Sequence, residues 1–568
     1  MEKSEVLRKR CHRFLERADR VWSDEDMEDR IRVLSSHYHL GHGAPNPTPD
    51  IIRQNRVRPR TETRVASMHA RAPEVLVRPM RAGFEQQAMS AELLLNYLTR
   101  HKKYNIELRE WLFYASLYHY GIMKLGMETG NDGVSLPMMR AWHPKNFRCD
   151  PTMDKFRPAE GAWQAFRSRR SFGYLEATGL YDETSLDRLR EEIGKDQKDW
   201  QPDTVECWVT EHYLFPVPGK RNVQIMVSAD GYNEREFDPD ARVWIREEAW
   251  TSAVGLPGVP LVFAPSPLKW FPIALPEFYL DQLALADLMR TLKVRAAQRS
   301  IPKTLADAQA LGDEGLAALE SSHVKQIVPV KNVPTSGMKS VVQDTVSQQV
   351  SNDVIMSEID ADNAIQEIDG SSGVQLGRSE PERGSTSATR DSLIETNFRL
   401  RAAQDQERWE DALEDAYQRT LNNAQANMKG DVWVKTTGMQ ERLLNKKEIQ
   451  LDADVKMAFG STQLRDRQQE RDDARELFAL LVNNPGVNQA WLNRYLLQKQ
   501  GDVKDIDGAL TVGPPPLSPL GMPPGSTPGS PAMPAAPPDA AAMTGVAQGG
   551  VQTGQSALSL SSMFRQLG

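Results

Sequence analysis

The stretch LLLNYLTRHKKYNIELREWLFYASLYHYGIMKLG, residues 93–126, sets the reading of the whole chain. Leu93, Leu94, Tyr97 and Leu98 recur at helical spacing. A Lys-rich break follows at 101–103, and Leu108, Trp111, Leu112, Ala115 and Tyr118 take up the period again. The pattern predicts a helix pair over 84–119. Gly121 stops it, and Ile122–Met127 has the content of a strand. A β-rich block follows over 134–265. In it VECWVTEHYLFPVP (205–218) and NVQIMVSADG (222–231) read as strands and 181–198 as a charged helix. Helices grouped before and after a strand-rich block make the fold class α+β.

Toward the N-terminus, residues 1–25 read as an amphipathic helix carrying Leu7, Cys11, Phe14, Leu15, Ala18, Val21 and Trp22 on one face. Between Ala44 and Arg60, Pro45, Pro47, Pro49 and Pro59 predict an extended arm. Arg53, Arg56, Arg58 and Arg60 make that arm basic. A solvated or inter-subunit strap is its plain reading, and nucleic-acid contact the sharper one.

Toward the C-terminus, Glu277 to Arg299 contains no Pro or Gly, and Phe278, Leu285, Leu288, Leu292 and Ala296 share one face. Such a helix of about 25 residues is roughly 37 Å long. A compact insert over 304–335 is expected to hold a short helix (Leu305–Leu311) and a strand (Lys325–Val330). A second long helix is expected from about Val341 to Ile368, with Val342, Val346, Val350, Val354, Ile355 and Ile359 on one side. The loop GSSGVQLGRSEPERG (370–384) is too rich in Gly for regular structure. Ser385 or Thr386 caps a third long helix running to about Met428 through Trp409, Leu413, Tyr417 and Leu421. Short strands at Val432–Thr436 and Glu448–Asp454 and a helical pair over 461–499 follow. The Pro/Gly-rich tail from 509 onward reads as disordered, and the terminal LSLSSMFRQLG as fray or a short docking peptide.

The two long helices differ in charge. The first is acidic at its start (Glu277, Asp281, Asp287) and basic at its end (Arg290, Lys293, Arg295, Arg299, Lys303), which complements its dipole. The second carries Asp344, Asp353, Glu358, Asp360, Asp362, Glu367 and Asp369 and no Lys or Arg. Those acids repel one another unless cations meet them. They are either a solvated face or the partners of the basic end of a neighbouring copy's helix.

At 568 residues, 63.8 kDa and a mean hydropathy of −0.53, the chain has room for several domains. It contains no run of about 18 apolar residues, so no membrane span and no membrane partner are expected. Nor does MEKSEVLRKRCHRFLERADRVW have the apolar core of a signal peptide. Cys11, Cys149 and Cys207 form no CxxC pair, which points to a reducing compartment. A net charge of −8 argues against wrapping of duplex DNA by the whole surface. The Lys residues of Gly194-Lys195-Asp196 and Gly219-Lys220-Arg221 lack the following Ser or Thr of a phosphate loop. His37, His39 and His42 are the best metal candidates, with a surface or packing role as the simpler account. No catalytic residue, metal or cofactor is expected.

On these residues the chain resembles the portal (head-to-tail connector) proteins of tailed bacteriophages over roughly residues 1–500. Residues 93–126 with WHPKNFRCDP (142–151) are similar to the family's helix pair, turn and P-x-x-F-x-x-D-P loop, although His119-Tyr120 departs from its Gly-rich turn. The order long helix, insert, long helix at 277–368 is similar too. So is GSTSATRDSLIETNFRLRAAQDQERWEDAL (384–413), where Ser387 and Ala388 partly replace the family's pattern.

The resemblance implies an elongated protomer: a wing over 1–276 and 385–455, stem helices at 277–300 and 341–369, and a clip over 301–340. A tunnel loop over 370–384, crown-like helices over 456–508 and a disordered tail over 509–568 complete it. It implies a ring of twelve copies at one capsid vertex of a virion assembled in the host cytoplasm, through which double-stranded DNA is packaged and ejected. The implied partners are the terminase large subunit, major capsid and scaffolding proteins, and tail or adaptor proteins. Gln375, Arg378 and Arg383 become candidates for sliding contacts with DNA. Arg290, Lys293, Arg295 and Arg299 become candidates for pairing with Asp353, Glu358, Asp360 and Asp362 between stems. Asp307, Asp313, Glu314 and Lys325 become docking candidates on the clip. Trp270, Phe271 and Trp433 are expected between subunits.

The alternatives are another virion structural protein, such as a tail adaptor or scaffold component, and a DNA-processing enzyme. A scaffold would lack the block 134–265. A nuclease would need a metal at a carboxylate pair, for which Asp360 with Asp362 or Asp452 with Asp454 are the nearest candidates.

Overall fold

The computed structural model describes residues 2–40, 51–130, 133–196, 201–203, 205–215, 223–230, 243–250, 255–300, 304–306, 313–314, 317, 342–344, 351–370, 388–434, 442–458, 467–482, 484 and 489–500. All of them lie in one unit.

The N-terminal helix α1 (Glu2–Asp24) buries Cys11, Leu15, Ala18 and Trp22, four of the residues its periodicity placed on one face. Asp26, at φ 50°, turns the chain into α2 (Met27–Tyr38). The arm ends earlier than the prolines suggested. Residues 51–56 lie outside any helix or strand, but α3 (Val57–Met68) already contains Pro59 and Arg60. Pro59 occupies the third helical position, where its missing N–H would have had no partner inside the helix.

Strand β1 (Val75–Pro79), unforeseen in the sequence, leads to α4 (Glu85–His101) and α5 (Tyr104–Leu117). The Lys-rich break is a single left-handed residue, Lys103 at φ 62°. Helix α5 runs almost directly into β2 (Gly121–Thr129). A Cβ at Gly121 would lie 2.5 Å from the Trp111 carbonyl oxygen, so only glycine permits this turn.

The β-rich block follows as β3 (Ser135–Trp142), β4 (Phe147–Cys149) and β5 (Trp163–Ser171), then α6 (Phe172–Ala177) and α7 (Glu183–Asp196). Strands β6 (Glu206–Leu214), β7 (Val223–Asp230), β8 (Val243–Trp250) and β9 (Gly258–Leu261) complete it. They form an antiparallel meander β4-β5-β6-β7-β8 and a three-stranded antiparallel sheet β3-β2-β9. Two buried polar links join the sheets. Gln164 of β5 accepts from the Gly258 N–H at 2.7 Å and donates to its carbonyl at 3.2 Å. Lys124 of β2 reaches Glu211 of β6 at 2.7 Å, with its ammonium against the rings of Trp142 and Phe166.

The first long helix expected from Glu277 to Arg299 is present as α8 (Leu280–Ser300), opened by a 3-10 turn (Leu275–Tyr279). The insert departs from its forecast at its first residues. Leu305 lies in β10 (Thr304–Ala306), not in a helix, and pairs with β11 (Val342–Asp344). The second long helix, α9, therefore starts only at Asn352 and ends at Asp369. The Val341-Val342 pair favours a strand, and Ser351 accepts from the Asp353 N–H as the N-cap. The forecast strand Lys325–Val330, with Val346 and Val350, lies outside the described residues.

The third long helix, α10 (Ala388–Asn427), matches its forecast closely. Strands β12 (Val432–Val434) and β13 (Arg442–Leu444) form a hairpin. The strand expected at Glu448–Asp454 lies later, as β14 (Ala453–Met457), because Lys446–Ile449 is a 3-10 turn. It pairs antiparallel with β1. Helices α11 (Arg467–Leu481) and α12 (Gln489–Gln500) are the expected pair.

The main core lies where α5 and α10 cover the sheet β3-β2-β9 and α4 packs beside them on β1. Leu94, Leu98, Leu108, Trp111 and Leu112 meet Trp409, Leu413, Tyr417 and Leu421 there. A second core gathers Trp22, Tyr120, Phe147, Phe166, Phe271 and Tyr279. Phe271 is thus covered by its own chain, stacked on Tyr120 and edge-on to Trp22, and the expectation that it waits for a neighbouring copy is corrected. Trp270 is half-buried beside it, whereas Trp433 is 64% exposed. The fold is α+β. No helix among the described residues is long and apolar enough to cross a membrane.

Candidate functional site

The chemistry of the chain concentrates on the hairpin of α8 and α9, which pack along each other. Their buried contacts are few and small. Leu283, Ala286, Asp287 and Thr291 on α8 and Ala361 and Ile365 on α9 are buried. The apolar face read from the sequence of α8 exists, but it points to solvent. Phe278, Leu285, Leu288 and Leu292 are 50, 40, 44 and 41% exposed. Met356 and Ile359 on α9 are exposed as well.

The acids of α9 meet cations from their own chain. Arg56, whose side chain is fully buried, donates from Nε to Asp362 Oδ1 at 2.6 Å and from Nη1 to Asp287 Oδ1 at 2.8 Å. Its Nη2 faces Glu358 at 3.7 Å. Glu358 also meets Lys293 at 3.2 Å and Arg290 at 3.7 Å. At the other end of α9, Asp369 faces Arg64 at 3.3 Å and Arg60 at 3.7 Å. The expected pairing of Arg290 and Lys293 with the acidic helix is therefore present, but within one chain. Arg295 is exposed on α8, and Asp353 and Asp360 are exposed on α9. Burial pushes the Asp287 carboxyl up from its ordinary value, against the Gln54 N–H and the charges of Arg56 and Arg53.

The base of α8 has its own anchor. Arg30 grips both oxygens of Glu277 at 2.8 Å, His119 Nε2 lies 3.0 Å from one of them, and the Ala274 N–H donates to the other at 3.1 Å. Burial alone would raise the Glu277 carboxyl. Hydrogen bonds from His119 and Arg30, with their charges, outweigh it and hold the group at about 2. His119 is shifted down by burial, which its bond to Glu277 only partly offsets.

A pH dependence follows from Glu277. Its pKa is lower folded than unfolded, so its contribution is present above the ordinary value of 4.5 and fades as pH falls toward about 2. Glu277→Gln is expected to lose on the order of 2 kcal/mol at pH 7. In urea unfolding, the gap between wild type and variant should shrink on going from pH 6 to pH 3. A gap that stayed constant would refute the assignment.

The remaining sequence candidates divide by position. Asp313 and Glu314 are helical and exposed. Asp307, Lys325, Gln375, Arg378 and Arg383 lie outside the described residues, as does the side chain of Arg299. His37 is shifted down by burial and by the Arg53 charge, an environment that disfavours a cation; His42 lies outside the described residues. No cluster of three or more metal-ligating side chains occurs among the described residues. Of the carboxylate pairs, Asp362 is committed to Arg56, and Asp452 faces Arg81 at 3.3 Å.

Sequence reasoning missed Arg30, His119 and the role of Arg56. The available signal was the four arginines of 53–60 in a chain that also held a helix of uncompensated acids. Compared with known proteins, the chain matches no family model and no curated protein.

Proposed function

We propose that this chain is the subunit of a ring-shaped portal, through which double-stranded DNA enters and leaves a viral capsid. The observation that carries the reading is the apolar stripe left uncovered on α8, with Met356 and Ile359 on α9. Three large apolar side chains along one face of α8, preceded by Phe278 in the turn that opens it, are an association surface. Covering the remaining half of each contributes on the order of 1 kcal/mol. If α8 of one copy packs on α9 of the next, the contact is heterologous, and such contacts repeat around an axis until they close. The exposed Arg295 of α8 and the exposed Asp353 and Asp360 of α9 put opposite charges on the two sides of that contact.

In this reading the insert between β10 and β11 faces the packaging motor and later the tail adaptor, and the body sits among capsid proteins. A net charge of −8 suits a channel in which DNA slides without sticking. The test is the solution particle. Light scattering and negative-stain images of the purified full-length chain should show annular particles whose mass is a whole multiple of 63.8 kDa. A chain that stays monomeric at every concentration and salt, and with its capsid partners co-produced, ends this reading.

A further inference from the structure

We propose that the α8–α9 hairpin is a lever, hinged at its base near Glu277 and held in one direction by a polar latch at Arg56. The two holds differ in kind. At the base the grip is apolar as well as ionic. Tyr279, Leu283 and Ile365 are buried in the second core, and Glu277 is fixed by Arg30 and His119.

Ten residues further along, about 15 Å at 1.5 Å per residue, the grip is polar. The strap 51–56 lies against α8 there. The Ile52 N–H donates to Thr291 Oγ1 at 2.9 Å and the Gln54 N–H to Asp287 Oδ1 at 3.2 Å. Gln54 Oε1 accepts from Arg290. Arg56 then bridges Asp287 on α8 to Asp362 on α9. Beyond this point α8 presents Leu288 and Leu292 to solvent. A rod held at two points has a fixed direction, whereas a rod held only at its base can pivot.

The energetics fit a latch better than a rivet. Burying one guanidinium among three carboxylates costs desolvation of every charge, so the net stabilisation is small although the geometry is well specified. The fit is also incomplete. Nη2 of Arg56 is buried and faces Glu358 at 3.7 Å without a hydrogen bond. The strap thereby makes the N-terminal arm the element that sets the hairpin's angle. This does not depend on the ring proposal, because both the latch and the hinge lie within one chain.

The test is hydrogen–deuterium exchange on the full-length protein, wild type against Arg56→Gln. Amides of 288–300 and 352–362 should exchange roughly ten-fold faster in the variant, while 405–427 and the base of the hairpin keep wild-type rates. Asp362→Asn removes one strand of the latch at a half-buried position and serves if Arg56→Gln does not fold. It should loosen 352–362 more than 288–300. Light scattering of each sample, run in parallel, separates a loosened hairpin from a lost neighbour. Unchanged exchange in both distal segments would overturn the lever. So would an equal acceleration in 405–427, because Arg56 would then be a general core support.

Discussion

Trp409→Ala is expected to lower the stability of the folded chain by about 3–5 kcal/mol, the largest effect of any single substitution considered. Trp409 sits on α10 with no exposed surface, at the centre of the main core. Its ring lies 5.3 Å from Trp111 of α5 and 5.8 Å from His69, both edge-on. Removing it leaves a cavity between a helix at residue 111 and one at residue 409, at the centre of the core they share. The contact is long in sequence, so local propensity cannot compensate. Trp409→Phe keeps most of the ring and deletes an indole N–H that has no hydrogen-bond partner among the described residues. It should cost less than half as much. Urea unfolding monitored by circular dichroism checks both. A Trp409→Ala midpoint within error of wild type would mean that α10 is not part of the core.

On the ring proposal, Leu285→Glu with Leu288→Glu is expected to abolish assembly while leaving the monomer intact. Both side chains are about two-fifths exposed, so the monomer should change by no more than about 0.5 kcal/mol. At an interface the same changes remove two apolar contacts and bring two carboxylates toward an acidic helix of the neighbour. A loss of about 3 kcal/mol per contact is about a hundred-fold in dissociation constant. Because every copy repeats the defect, a closed ring should not survive it. Sedimentation of wild type and double variant at equal concentration reads the result. Intact rings from the variant would show that the stripe faces something other than a second copy, while an unfolded variant would show that the stripe supports its own chain.

The long helices were legible because periodicity is local. Residues 84–118, 388–427 and 467–500 declare themselves by which side chains recur every third or fourth position. Shorter elements were harder. Strand β1 has only five residues, and its buried Val75 and Val77 acquire meaning through pairing with 453–457. The start of α9 was misplaced because valines continue the apolar spacing upstream while their branching favours a strand.

The α+β class, the long helices, the helix-to-strand turn at Gly121 and the charge imbalance of α9 follow from the order of residues alone. Each depends on neighbours a few positions apart. Which face of α8 is covered, and which cations answer the acids of α9, was settled only by the folded chain. Arg56 lies 231 residues from Asp287 and 306 from Asp362. A side-chain period shows which residues share a face, but the packing of distant segments decides what lies against it.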